Sequence, residues 1–296
     1  MEYVIETQSL SKQYKTKLAV NEVSIHVKRG EIYGLIGKNG AGKTSLMKLI
    51  LGLTSPTRGS IELFGNKNLN EGRKKIGSLI EAPGLYKNCT AYENMLRFAI
   101  LYGADKKEIK PILERVGLGN TGSKKAGDFS LGMRQRLGIA IALLSKPEVL
   151  ILDEPINGLD PAGIKEIRDI ILSLHKEGVT FIISSHLLDE LAKVVTSYGI
   201  IADGKLVEEI SAYELEKRCS HYVRIVGNNI VKMQSILKDK YPNIQMELKE
   251  DGLYLSNHLD ETADMNAYLV QNGIQVSEIQ VSSNGFEEFF IERLGR

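Results

Sequence analysis

The stretch that most constrains this chain is Gly37-Lys38-Asn39-Gly40-Ala41-Gly42-Lys43-Thr44, followed by Ser45. It fits the pattern G-x-x-x-x-G-K-[ST], in which glycines let the backbone bend until successive N–H groups point inward at phosphate oxygens. In such a loop Lys43 brings a point charge to the β- and γ-phosphates of a nucleoside triphosphate, and the Thr44 hydroxyl can ligate Mg²⁺. A glycine-rich turn without function is the bland alternative, and the flanks argue against it. Ile32, Tyr33, Leu35 and Ile36 read as a buried strand leading in, while Leu46, Leu49, Ile50 and Leu53 recur at helical spacing leading out. Strand, loop and helix N-terminus together make an anion site.

Composition limits the rest. At 296 residues the chain can bury a large core and has room for one large domain and a smaller one. A net charge of +1 and a pI of about 7.7 imply no broad basic face, so nucleic acid is not an expected partner. The short clusters Arg73-Lys74-Lys75 and Lys124-Lys125 read as solvated surface. The two cysteines, Cys89 and Cys219, have no metal-type spacing and suggest no disulfide framework, which fits a reducing compartment. The N-terminus lacks the charged-then-apolar pattern of a signal peptide, and no apolar run approaches the roughly 18–20 residues of a membrane span. A function at a membrane would need spans from another subunit.

Along the chain, residues 3–36 read as strands, with Val23, Ile25 and Val27 alternating and a turn at Lys28-Arg29-Gly30-Glu31. Tyr14 is either ordinary edge packing or a ring face for an adenine. Ser60 to Phe64 and Ile76 to Ile80 read as strands, the second ending at Glu81-Ala82-Pro83-Gly84. The spacing predicts helices over Ala91 to Tyr102 and Lys106 to Val116, and a third from Leu131 with Ser130 as its N-cap. Ile139 to Leu144 is apolar all round and therefore buried. Val149 to Leu152 suits a central parallel strand that presents Asp153 and Glu154 at its C-terminal end. Asp160-Pro161 is an N-cap with proline at the first helical position, and Ile164, Ile167, Ile171 and Leu174 mark that helix's buried face. Val179 to Ile183 is a further strand, closing on Ser184-Ser185-His186. A lone histidine is usually structural, but one just past a parallel strand on the phosphate side leans toward function.

From about Ser220 the order becomes Tyr222–Val226 strand, Ile230–Tyr241 helix, Ile244–Leu248 strand, Gly252–Ser256 strand, Asp260–Gln271 helix and Ile274–Val281 strand. This β-α-β-β-α-β order is the ferredoxin-like split motif. It carries no catalytic constellation, so a regulatory, dimerising or packing role is expected. A closing helix with Phe286, Phe289, Phe290 and Leu294 could pack back on the core, and residues 205–219 would be the connection.

Beyond the phosphate loop, Phe129-Ser130-Leu131-Gly132-Met133-Arg134-Gln135-Arg136 resembles the signature sequence of ATP-binding-cassette (ABC) ATPases. Leu152-Asp153-Glu154-Pro155 follows it as in that family, Asn157-Gly158-Leu159-Asp160 resembles the D-loop, and His186 the switch histidine. The resemblance covers about residues 1–215. It implies an α/β P-loop NTPase with antiparallel β and helical subdomains, the helical part at about 85–145, while 220–296 forms the ferredoxin-like α+β accessory domain. The run Ile76 to Tyr92 and the FSLGM segment look like the bacitracin-transporter and lantibiotic-immunity type.

Carried over by position, the resemblance implies that Tyr14 stacks on adenine while Gly37 to Ser45 hold the triphosphate. Thr44 ligates Mg²⁺, which Asp153 holds through water. Glu154 activates the attacking water and His186 contacts the γ-phosphate. Ser130, Gly132 and Asp160 would complete the site of a second, opposing cassette. The partners implied are that second copy and an integral membrane permease, at the cytoplasmic face of the membrane. Three positions depart from the commoner pattern. Leu131 replaces a signature glycine, Met133 its glutamine, and Glu81 stands where most cassettes carry the glutamine that contacts Mg²⁺. Either Glu81 reaches the metal or it faces solvent near the permease. The reading from another class is a soluble cassette acting on ribosomes, but that type usually joins two cassettes, and this chain has a single phosphate loop.

Overall fold

The computed structural model describes residues 2–219, 221–283, 289, 290 and 293. Two compact units emerge, one spanning Met1–Ala212 and taking in Arg293, the other Tyr213–Glu292.

In the first unit, β1 (Tyr3–Tyr14), β2 (Lys17–Val23) and β3 (His26–Lys28) form an antiparallel sheet. β4 (Ile32–Ile36) then leads into α1 (Lys43–Ile50), and β5 (Arg58–Leu63) returns to pair with β1. After α2 (Leu69–Arg73) and β6 (Ile76–Leu79) come α3 (Ala91–Tyr102), α4 (Ile109–Arg115) and α5 (Leu131–Leu143). The order continues through β7 (Val149–Asp153), α6 (Pro161–Lys176), β8 (Thr180–Ser185), α7 (Leu188–Ala192), β9 (Ser197–Ala202) and β10 (Lys205–Ser211); α8 (Ala212–Arg218) follows, all but its first residue belonging to the other unit.

The second sheet runs β10-β9-β4-β8-β7-β6. Every residue of β4, β7 and β8 is buried, the consequence of apolar runs covered on both faces of a parallel sheet. These three strands are parallel neighbours, so their C-terminal ends open on the same side. That shared edge is where the phosphate loop, Asp153, Glu154 and His186 converge. Glu209 of β10 links the two sheets: its Oε1 accepts from the buried Tyr33 hydroxyl at 2.7 Å and from the His26 backbone N–H of β3 at 2.9 Å. Burial first, and the Glu209 carboxylate second, push the Tyr33 phenol well above its ordinary pKa.

Four sequence expectations need correction. The helix after the phosphate loop ends at Ile50, because Gly52 turns left-handed at φ +75°, and Leu53 is left 66% exposed. Arg73 is not simply solvated, since its Nε donates to the Ile50 carbonyl at 3.1 Å at this helix end. Lys106 to Val116 is not one helix. A 3-10 turn covers Lys106–Glu108 and α4 restarts at Ile109, which puts Pro111 in a first turn, where its missing N–H breaks no helical bond. Finally, residues 205–219 are not a plain connection. Asp203 and Gly204, both at positive φ, make a two-residue hairpin that folds β10 back on β9 as the sheet edge.

The second unit contains β11 (His221–Gly227), α9 (Ile230–Lys240), β12 (Met246–Lys249), β13 (Gly252–Leu255), α10 (Thr262–Gln271) and β14 (Val276–Ser283). The sheet order β12-β13-β11-β14 is the ferredoxin-like arrangement. Val223, Ile225, Leu253 and Leu255 pack with Met233 and Leu237 of α9 and Met265 and Leu269 of α10. Of the closing stretch, Phe289 and Phe290 meet edge to face at 5.6 Å and Phe290 is buried, while Phe286 and Leu294 lie outside the described residues. Because this unit has a core of its own, Leu253→Ala should destabilise it by about 2–5 kcal/mol while leaving the affinity for a fluorescent ATP analogue unchanged. Thermal melts beside nucleotide titrations check this, and a parallel loss of affinity would show that the units do not behave independently.

Candidate active site

The phosphate loop bounds a cavity of about 330 Å³ lined by Tyr14, Lys17, Ala19, residues 38–45 and Glu154. Its glycines are demanded by geometry. A Cβ at Gly37 would lie 2.4 Å from the Ile201 carbonyl oxygen, and Gly42, at φ +109°, would strike the Ala19 oxygen at 2.4 Å. Gly42 is also the N-cap of α1 and offers no side chain to its first turn, so those amides remain for an anion. Lys43 is 6% exposed. Its Nζ donates to the Gly37 carbonyl at 2.6 Å and lies 3.3 Å from Glu154 Oε1. An ammonium so buried is held by acceptors that a phosphate can replace.

At the other wall, Thr44 Oγ1 donates to Asp153 Oδ2 at 2.8 Å. The remaining Asp153 oxygen, Oδ1, accepts from Ser184 Oγ at 2.6 Å, and Ser184 Oγ in turn accepts the Glu154 N–H at 2.9 Å. Glu154 adopts φ +48°, its Oε2 meets His186 Nδ1 at 2.8 Å, and its buried Oε1 accepts no hydrogen bond. Glu154 and His186 are therefore already in contact. The donors suit a hard cation: a hydroxyl and a carboxylate side by side beneath a phosphate loop. Among the described residues no three His, Cys, Asp or Glu side chains gather into a metal site, so a Mg²⁺ ion would depend on Thr44, Asp153 and the phosphates themselves.

Not all the expected residues meet here. Tyr14 lines the cavity, with Lys12 Nζ 5.0 Å from its ring centre. Glu81 is drawn to Lys48, Oε1 to Nζ at 2.6 Å, and does not line the cavity. Ser130 accepts the Met133 N–H at 3.2 Å and Asp160 accepts the Gly163 N–H at 3.1 Å, each capping its helix. A Cβ on Gly132 would lie 3.7 Å from Leu159, so the signature and D-loop segments adjoin one another, outside the cavity. Sequence reasoning missed Lys17, Ala19 and Ser184. The signal for Ser184 was its place at a parallel strand end, in register with Asp153.

Comparison with known proteins agrees with this geometry. The ABC transporter family profile matches residues 20–157. The bacitracin transport ATP-binding protein BcrA of Bacillus licheniformis is 44% identical, the alignment covering 100% of this chain and 98% of that protein. The chain belongs to the ABC transporter ATP-binding family. BcrA of Enterococcus faecalis is 41% identical over 100% of this chain and 97% of its own length. The lantibiotic transport ATP-binding protein SrtF of Streptococcus pyogenes is 47% identical over 70% of this chain and 90% of that one. Among solved structures, an ATP-binding subunit of an ABC transporter superposes with a TM-score of 0.65 at 30% identity, covering 73% of this chain and 92% of that one. A dimeric cassette in a post-hydrolysis state shares the fold at 24% identity, with a TM-score of 0.64 over 70% of this chain and 98% of its own.

The ABC cassette is a transport ATPase, and its phosphate loop binds ATP. Lys43→Ala should abolish nucleotide binding or turnover, read by analogue titration and phosphate release. Ser184→Ala leaves two buried polar groups unpaired, so it should cost about 1–3 kcal/mol of local stabilisation and lower kcat more than nucleotide affinity. An unchanged kcat in steady-state assays would refute a role for Ser184.

Proposed function

We propose that this chain is the ATP-hydrolysing subunit of a membrane exporter that removes a peptide antibiotic of the bacitracin or lantibiotic class. The observation that carries the reading is the identity of 44% with a bacitracin transport subunit along the whole chain, accessory unit included. A transporter role is favoured over ribosomal action because these full-length relatives are named transport proteins. No helix among the described residues is long and apolar enough to cross a membrane; in this reading a permease supplies the spans and this chain sits at its cytoplasmic face.

Chemistry follows from the site. Gly37 to Ser45 hold the triphosphate, Tyr14 faces the base, and Thr44 with Asp153 would hold Mg²⁺, which supplies charge neutralisation at the β- and γ-phosphates. Glu154 takes the proton of the attacking water once the phosphates have drawn the Lys43 ammonium, 3.3 Å away, from its Oε1. His186 orients Glu154 and contacts the γ-phosphate. Ser130, Gly132 and Asp160 serve a second copy: α5 presents its N-terminal amides and partial positive charge across the dimer interface. ATP then joins two cassettes and hydrolysis parts them.

The surface that meets the permease begins after Glu81. Buried Asn94 fastens this segment, accepting from the Tyr86 N–H at 2.8 Å and donating to the carbonyls of Tyr86, Cys89 and Thr90 at 3.1, 3.3 and 2.9 Å. Tyr86, Phe98 and Tyr102 follow one another at 6.3 and 6.0 Å, with Ile100 and Leu101 exposed beside them. An aromatic and aliphatic patch on rigid backbone suits a docking helix.

Two tests apply. Glu154→Gln should bind ATP but not turn it over, trapping a dimer of cassettes when ATP and Mg²⁺ are present. A monomer in gel filtration of the full permease complex would refute the composite site. Co-expression with the neighbouring permease in a sensitive host should raise the tolerated bacitracin or lantibiotic concentration several-fold, and Glu154→Gln should abolish that protection. Equal protection by the variant would refute the reading.

A further inference from the structure

Glu81 is the one departure of this cassette that brings a new charge to the nucleotide edge, and the structure gives that charge a partner. Glu81 leaves β6 just past its end, where β6 runs parallel beside β7 and Leu79 sits opposite Leu152, so Glu81 emerges next to the Asp153 turn. Its backbone is left-handed, φ +60°, which a non-glycine residue adopts only when its surroundings favour it. The Lys48 ammonium lies 2.6 Å from Glu81 Oε1. Lys48 lies four residues after Thr44 on α1 and therefore on the same helix face, about one turn or 5.4 Å along. The lysine that anchors the Glu81 carboxylate thus sits one helical turn from Thr44, the hydroxyl partner of Asp153.

We propose that Lys48 is a positioning residue for Glu81, holding its carboxylate off the phosphate end of the site and setting how strongly nucleotide binding depends on Mg²⁺. An unpartnered carboxylate here would add to the negative field of Asp153 and Glu154 and repel a triphosphate, unless a divalent cation lay between them. Lys48 cancels that charge. The Glu81 hydrogen bond holds the ammonium above its ordinary pKa, and Tyr14 and Asp153 add to the same field. The lysine side chain is 33% exposed and the glutamate 65%, so solvent screens the pair and it exchanges readily. Glu81 therefore has two destinations, the ammonium and a Mg²⁺ ion at Thr44 and Asp153, and Lys48 sets the balance between them. The proposal concerns nucleotide binding alone and rests on neither the cargo nor the permease, so its failure leaves the export reading standing.

The experiment is a double-mutant cycle on the full chain: wild type, Lys48→Met, Glu81→Gln and the double variant. Affinity for a fluorescent ATP analogue is measured in Mg²⁺ and in EDTA, and thermal melts verify folding. The ratio of the two affinities reads the Mg²⁺ dependence. Lys48→Met should raise that ratio on the order of tenfold, mostly by weakening binding in EDTA. Glu81→Gln should lower it below wild type, and in that background Lys48→Met should leave it unchanged. Lys48→Arg, which keeps the charge, should behave as wild type and serves as the readout if Lys48→Met fails to fold. A shift of equal size in both backgrounds would mean that Lys48 acts on the phosphates directly. That result, or superimposable ratios for wild type and Lys48→Met, would overturn the proposal.

Discussion

The buried ammonium of Lys43 is the constraint on which the site depends. A charge that is 6% exposed must be met by acceptors, and here these are the Gly37 carbonyl and the Glu154 carboxylate. To bring the carbonyl within reach, the loop must curl, and the curl is possible only with glycine where Gly37 and Gly42 approach the backbone of Ile201 and Ala19. To bring the carboxylate within reach, β7 must run parallel to β4 with one strand between them. The same order, β4-β8-β7, places His186 beyond the intervening strand and in contact with Glu154.

A second tier of interactions fixes the acidic side chains. Asp153 is held at both oxygens, by Thr44 from α1 and by Ser184 from β8, so helix, loop and sheet are joined at one carboxylate. Ser184 also accepts the Glu154 N–H and thereby holds the left-handed turn that aims the glutamate back at Lys43. Positioning of this kind is what phosphoryl transfer asks of a protein, since the reacting phosphate carries most of the chemistry itself. The segment from Tyr86 to Thr90 follows the same logic, its backbone secured by one buried residue, Asn94.

Local signals decided what could be read without coordinates. The phosphate loop, the Ser130 and Asp160 caps, and the apolar runs of β7 and β8 each carry their own chemistry within a few residues. The β-α-β-β-α-β order after Ser220 was legible because hydrophobic periodicity switches between two and 3.6 at every element. Errors arose where a boundary depends on one residue. Gly52 ended α1 before Leu53, a 3-10 turn at Lys106–Glu108 preceded α4 at Ile109, and Asp203-Gly204 turned a supposed linker into a strand of the sheet.

Residue types and spacing by themselves pointed to a phosphate-binding loop at Gly37 to Thr44 and put Asp153, Glu154 and His186 at or just past the ends of strands. Those side chains sit at strand ends, and a parallel sheet brings all its strand ends to one edge. Tertiary structure alone decided the pairings across that edge. Ser184 against Asp153 is a matter of strand register, and Lys48 against Glu81 depends on how α1 lies over β6. No local pattern encodes either one, because each partner is chosen by the distance between elements far apart in the chain.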